Sequence, residues 1–260
     1  MSTTDFAPNS RQGSAGRPIQ KQGFGTLLRV EFRKMVNTRS GPAVLATAVA
    51  IALVALVWKI VRGGDGPATW HDYSAIMQVV GMVLPIIGLL AMTSEWTQRT
   101  ALTTFTLSPR RGRVLAAKFG AAAGLALITL VVIIGLIVAA VYIGGAVSGH
   151  DVAFDGFLGD VRGLVILTVL QMTMAAGFGA LAAQTAVAVA CYFVAPTFVT
   201  IVGTQLLHDN AKWLDVFAAY DRLASGNPWA DGVQSITSIA FWVVLPTAIG
   251  VWRSLHREVK

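Results

Sequence analysis

Six long apolar runs divide the chain, at about 42–61, 75–92, 119–143, 163–183, 187–207 and 235–252, with polar or charged stretches between them. Each run holds roughly 18–25 residues, enough to cross about 30 Å of hydrocarbon as a helix. Backbone groups in lipid have no water to bond, so runs of this length and composition predict helices. Interior charge is absent from the runs apart from Lys59, which sits near a predicted membrane end where it can snorkel.

A different period precedes the first run. Phe24, Leu27, Leu28, Phe32 and Met35 fall on one helical stripe, and Arg29, Arg33 and Lys34 lie away from it. This predicts an amphipathic helix over 24–38, too charged to span and suited to the headgroup plane, ended by Gly41-Pro42. Residues 1–22 are polar and rich in Ser, Gly, Pro and Gln, and read as a disordered cytoplasmic tail. The remainder, 23–260, reads as a single transmembrane domain. Ahead of the last run, Trp213, Phe217, Tyr220 and Ala224 recur at helical spacing in a stretch too short and polar to cross. That spacing predicts a re-entrant or interfacial helix over part of 208–234, with a plain surface loop as the alternative.

Composition agrees with this pattern. The chain is 260 residues long, 55% hydrophobic and 13% charged, against about 25% charged residues in soluble domains. The single Cys191 excludes a disulfide framework. The net charge of +7 is placed by topology: six spans put 15 of the basic residues with the two termini and loops two and four, and 5 on the other side. That bias predicts a plasma-membrane protein with both termini cytoplasmic, and removes a nucleic-acid reading.

Several chemistries have no motif here. The sequence holds no phosphate-binding loop of the G-x-x-x-x-G-K-[ST] type, no H-E-x-x-H and no G-x-S-x-G. His71, His150, His208 and His256 are scattered, without metal-ligand spacing, and no carboxylate sits at a span centre. The expectation is a non-enzymatic chain with no cofactor of its own.

One stretch gathers charge, an aromatic and helix-break residues between two spans: 92–118. Ser94 can cap a new helix with Glu95 in its first turn. Trp96 can anchor it at the interface, and Arg99 lies four residues after Glu95, in pairing range. Leu102, Phe105 and Leu107 supply apolar knobs, and Ser108-Pro109 starts the next helix. Arg110, Arg111 and Arg113 then fall in a first turn, where the helix dipole disfavours cations and lipid phosphates or an acidic protein surface would compensate. With Lys118 they also fit a plain basic anchor at the membrane face.

With Leu28, Glu31, Lys34 and Thr38-Arg39-Ser40 in the leading helix, Thr93-Ser94-Glu95-Trp96, Thr100, Pro109-Arg110-Arg111 and Ala117-Lys118, the chain resembles the ABC-2 type permeases of ATP-binding-cassette transporters, especially short actinobacterial members. It departs from their pattern in having Arg99 where a glycine usually precedes the threonine. The resemblance implies an all-α membrane protein of six transmembrane helices, with an N-terminal amphipathic helix, a cytoplasmic coupling helix at 94–107 after span two, and a re-entrant helix before span six. It implies docking of a separate ATPase, which carries the ATP and magnesium, through Ser94, Glu95, Trp96, Arg99, Thr100, Leu102 and Phe105. It further implies a homodimer or a pair with a similar permease, contacts with membrane lipids, and spans two and five facing the dimer axis. Met77, Gln78, Met82, Thr200, Thr204 and Gln205 then fall along a candidate substrate path, with Gln171 on span four as a further intramembrane polar group; core hydrogen bonding is the alternative for each. Gly120, Gly124, Gly177 and Gly179 allow close helix contact, and Pro85 and Pro196 allow kinks. The expected function is export of a hydrophobic or amphipathic drug, peptide, lipid or glycolipid. Sensing or self-immunity without net transport is the alternative on the same fold.

Overall fold

The structure is a computed structural model that describes residues 23–63, 66–98, 111–206, 208–224 and 232–256. Among these residues six helical stretches are long and apolar enough to cross a membrane. They are α2 (Ser40–Arg62), a run of α3 (Trp70–Ser74), α4 (Ile76–Val83) and α5 (Pro85–Thr97), then α6 (Arg111–Ser148), α7 (Phe157–Ala182), α8 (Thr185–Leu206), and a run from α10 (Gly232–Ile239) to α11 (Leu245–His256). The leading helix α1 covers Phe24–Asn37, and α9 covers Val216–Ala224. The architecture is therefore all-α with six membrane-length helices, and each expected apolar run lies within or nearly within one of them. The expected tail at 1–22 and the part of the expected 94–107 helix from residue 99 on lie outside the described residues.

The span surfaces stay apolar and open. Val54, Val61, Val131, Leu158 and Leu206 are each more than two-thirds exposed on the single chain. Apolar exposure on this scale suits lipid or a partner helix, and not water.

Local chemistry sets the breaks. Gly63 ends α2 with φ +58°, a left-handed conformation that glycine adopts without a Cβ clash. Span two is interrupted at Pro85, whose missing N–H removes one ladder bond; Leu84 keeps helical dihedrals, so the run continues. Pro196 lies inside α8 without ending it. Span six contains a π-helical turn at Ala240–Val244, and Trp242 within it donates from Nε1 to the Leu214 carbonyl at 2.7 Å.

Span four is the hub. A Cβ on Gly179 would stand 3.0 Å from the Leu89 carbonyl oxygen of span two, and one on Gly250 of span six would stand 2.7 Å from the Gly177 carbonyl oxygen. Glycine thus lets spans two and six approach opposite sides of span four at near-backbone contact. The expectation holds for Gly177 and Gly179. It fails for Gly124, which faces open space, while Gly120 meets Leu28 of α1. One apolar core joins spans one to three around Trp70, Ile87, Leu130, Ile133 and Val141; a second joins spans four to six around Phe178, Tyr192, Tyr220 and Trp242.

At one end of the bundle two short strands pair in parallel, β1 (Ala68–Thr69) with β2 (Val152–Ala153). Trp70 donates from Nε1 to Asp160 at 2.9 Å and meets Phe157 edge-on at 4.8 Å. The stretch 208–224 is folded back on the bundle. A turn of 3₁₀-helix, His208–Trp213, leads to Asp215, whose carboxylate caps α9 by accepting from the Phe217 and Ala218 N–H groups. Val216 and Tyr220 are buried, and the Tyr220 hydroxyl reaches Met174 of span four. Over Val216–Ala224 this stretch is a packed helix and not a plain surface loop.

Candidate functional site

The opposite end of the bundle gathers α1, the last turns of span two, the first turns of span three and the end of span six. Its centre is a ring of four charges. Lys118 donates to Glu31 Oε2 at 2.8 Å and lies 2.9 Å from Glu95 Oε1. Lys34 donates to Glu31 Oε1 at 2.8 Å and to Glu95 Oε1 at 2.9 Å. Charge alternates around the ring, and each member touches two of opposite sign.

Helix periodicity builds this arrangement. Glu31 stands one turn after Leu27 and one before Met35, and all three are buried. Lys118 stands one turn after Val114 and one before Ala122, on the buried face of α6. Glu95 follows Ala91 by one turn on the buried side of α5. Three apolar stripes converge, each with one charge in place of an apolar residue.

Burial grades the ring. The side chains of Glu31 and Lys118 are each 5% exposed, that of Glu95 is 10% exposed, and that of Lys34 is 41% exposed. Burial pulls the Lys34 ammonium down, but its hydrogen bonds to Glu31 and Glu95 outweigh this and hold its pKa above the usual lysine value. Lys118 also points a proton at the Ala91 carbonyl, 3.5 Å away. Beside the ring, the Thr93 and Thr185 hydroxyls meet at 2.9 Å and join span two to the start of span five; Thr97 lies 3.3 Å from Thr185.

Several expectations are corrected here. Ser94 caps nothing: α5 runs through it to Thr97, and the Ser94 carbonyl accepts from Gln98 at 2.9 Å. Glu95 faces inward to Lys34 and Lys118, because the span-two helix continues to Thr97 and carries it around to the core side. Lys118 is no headgroup anchor; it is 4% exposed inside the protein. Of the apolar stripe of α1, Leu27 and Met35 are buried, Leu28 and Phe32 are half-buried and Phe24 is exposed, and Arg29 and Arg33 point outward. Arg111 begins α6 and reaches the Leu255 carbonyl at 3.4 Å, linking the ends of spans three and six, and Arg113 and Trp96 are half-buried. Arg99, Thr100, Leu102, Phe105 and Arg110 lie outside the described residues.

The candidate path residues are dispersed on the single chain. Met77 is buried in the first core, while Gln78 and Met82 are exposed on another side of the same span. Gln171 is half-buried, with its Oε1 3.7 Å from where a Cβ on Gly81 would stand. Thr200 donates to Asp215 at 3.3 Å, Thr204 bonds back to the Ile201 carbonyl at 2.9 Å, and Gln205 is exposed. Among the described residues, no hydrogen bond joins the span-two group to the span-five group.

Sequence reasoning missed the ring as a unit, although the four-residue spacing of Leu27, Glu31 and Met35 placed an acid within an apolar stripe. Comparisons with protein-family models, with curated proteins and with solved structures find no match for this chain.

Proposed function

We propose that the chain is the membrane-spanning subunit of an ATP-driven exporter of the ABC-2 permease type, moved by separate ATPase subunits that dock at the end of the bundle carrying the charge ring. That end is cytoplasmic in this reading, the chain acts as a dimer or with a similar permease, and the cargo is hydrophobic or amphipathic. The observation that carries it is the ring: the last turn of span two is tied by Glu95 to α1 and to span three. A displacement applied at that end reaches three elements together. The sequence offers no phosphate-binding loop to supply energy within the chain, so a fuel-burning partner is part of the reading.

The test is purification of the full chain in mild detergent from cells that express it natively, with ATP hydrolysis measured on the isolate. The reading expects a stoichiometric soluble ATPase whose hydrolysis is inhibited by vanadate. A pure chain without hydrolytic activity, at full recovery and native fold, would contradict it.

A further inference from the structure

We infer that Glu31, Lys34, Glu95 and Lys118 act as one closed electrostatic clasp that fixes the register of α1 against the ends of spans two and three, so that the three elements move as a single body. This rests on the geometry of the ring and stands whether or not an ATPase partner exists.

Apolar helix contacts alone would let α1 slide or roll with little loss, because one methyl neighbour replaces another. The ring forbids this. Glu31 uses both carboxylate oxygens, one for each lysine, and Glu95 Oε1 serves both lysines. A shift of α1 by one turn would strand Glu31 and leave Lys118, at 5% side-chain exposure, with less than its full complement of acids. Among the described residues, Glu31 and Glu95 are the acids at this end of the bundle. Lys34, at 41% exposure, is the member that water can replace. The clasp thus has an inner closure at Lys118 and an outer one at Lys34.

Alternation gives the inference a sharp test. If the four groups form a ring, exchanging Glu31 and Lys118 alone puts lysine beside Lys34 and a carboxylate beside Glu95, and must fail. Inverting all four (Glu31→Lys, Lys34→Glu, Glu95→Lys, Lys118→Glu) restores opposite charge at each of the four contacts within the ring. The full chain in lipid nanodiscs is compared by amide hydrogen exchange across Phe24–Asn37, with Phe157–Ala182 as the internal reference. Lys118→Met and the two-residue exchange are expected to speed exchange in α1 by about tenfold or more while span four is unchanged; the four-residue inversion is expected to return it to within about threefold of wild type. The inference is overturned if Lys118→Met leaves α1 protected, if the two-residue exchange rescues as well as the inversion, or if the inverted chain fails to accumulate in the membrane. A chain that passes this test yet carries no ATPase would remove the proposed function and leave the clasp standing.

Discussion

Lys118 and Glu31 are 87 positions apart in the chain, yet their side chains meet at 2.8 Å with each 5% exposed. A pair so placed is asymmetric in its energetics. Formation gains little over a well-packed apolar pair, because both ions lose their water. Removal of one partner is another matter, since it leaves a buried charge unanswered.

Substitution of Lys118 by alanine is therefore expected to destabilise the chain by about 3–5 kcal/mol, the scale of a broken buried ion pair. Lys34→Ala, which removes a half-exposed partner of the same two acids, is expected to lose no more than about 1 kcal/mol. Chemical or thermal unfolding of both variants in one detergent reads the ratio. Equal effects would mean that burial does not grade the ring.

The Lys34 contribution also has a pH signature. Its pKa in the folded chain is raised above the ordinary 10.5, so its stabilisation is whole below that value and is lost as pH rises through the raised one. The stability gap between wild type and Lys34→Met should be flat from neutrality to about pH 10 and narrow above it. A gap that widens with alkaline pH would show that Lys34 is destabilised by its burial, and not held by its partners.

Span four's glycine contacts give a paired prediction. Gly250→Ala would push a methyl within 2.7 Å of the Gly177 carbonyl oxygen, and overpacking of this kind is expected to destabilise by about 1–3 kcal/mol. Gly124→Ala meets nothing within 4 Å and removes a flexible residue from a helix interior, so it is expected to be neutral or to stabilise by up to about 1 kcal/mol. Thermal midpoints of the two variants, measured side by side, decide it; a tolerated Gly250→Ala would mean that spans four and six can separate freely.

The packed helix at Val216–Ala224 depends on its cap. Asp215→Ala removes the acceptor for the Phe217 and Ala218 N–H groups and for the Thr200 hydroxyl, with an expected loss of about 1 kcal/mol. Faster proteolysis confined to this segment is the expected readout, and unchanged cleavage would assign its order to the Tyr220 and Trp242 contacts alone.

The six spans were legible because hydropathy is a property of consecutive residues, and α1 because its apolar positions repeat at helical spacing. The face on which α1 is buried is not legible from composition: Glu31 enters the sequence reading only among the residues that carry the family resemblance, although it stands midway between Leu27 and Met35. Glu95 and Lys118 were read with their sequence neighbours, as a helix start and a surface anchor. What placed them together is a meeting of three elements across 61 and 87 positions, which no local pattern records. The strand pair Ala68–Thr69 with Val152–Ala153 escaped for the same reason, since two residues carry no periodicity.

The proposed function is tested most directly by asking what touches the exposed end of span two. Gln98 ends that helix and is exposed three residues beyond Glu95. A photoreactive amino acid at Gln98, activated in intact cells, is predicted to form an adduct with a soluble ATP-hydrolysing protein, and nucleotide is predicted to change its yield. Adducts formed with lipid or with this chain alone, in cells where the protein is correctly folded, would contradict the account.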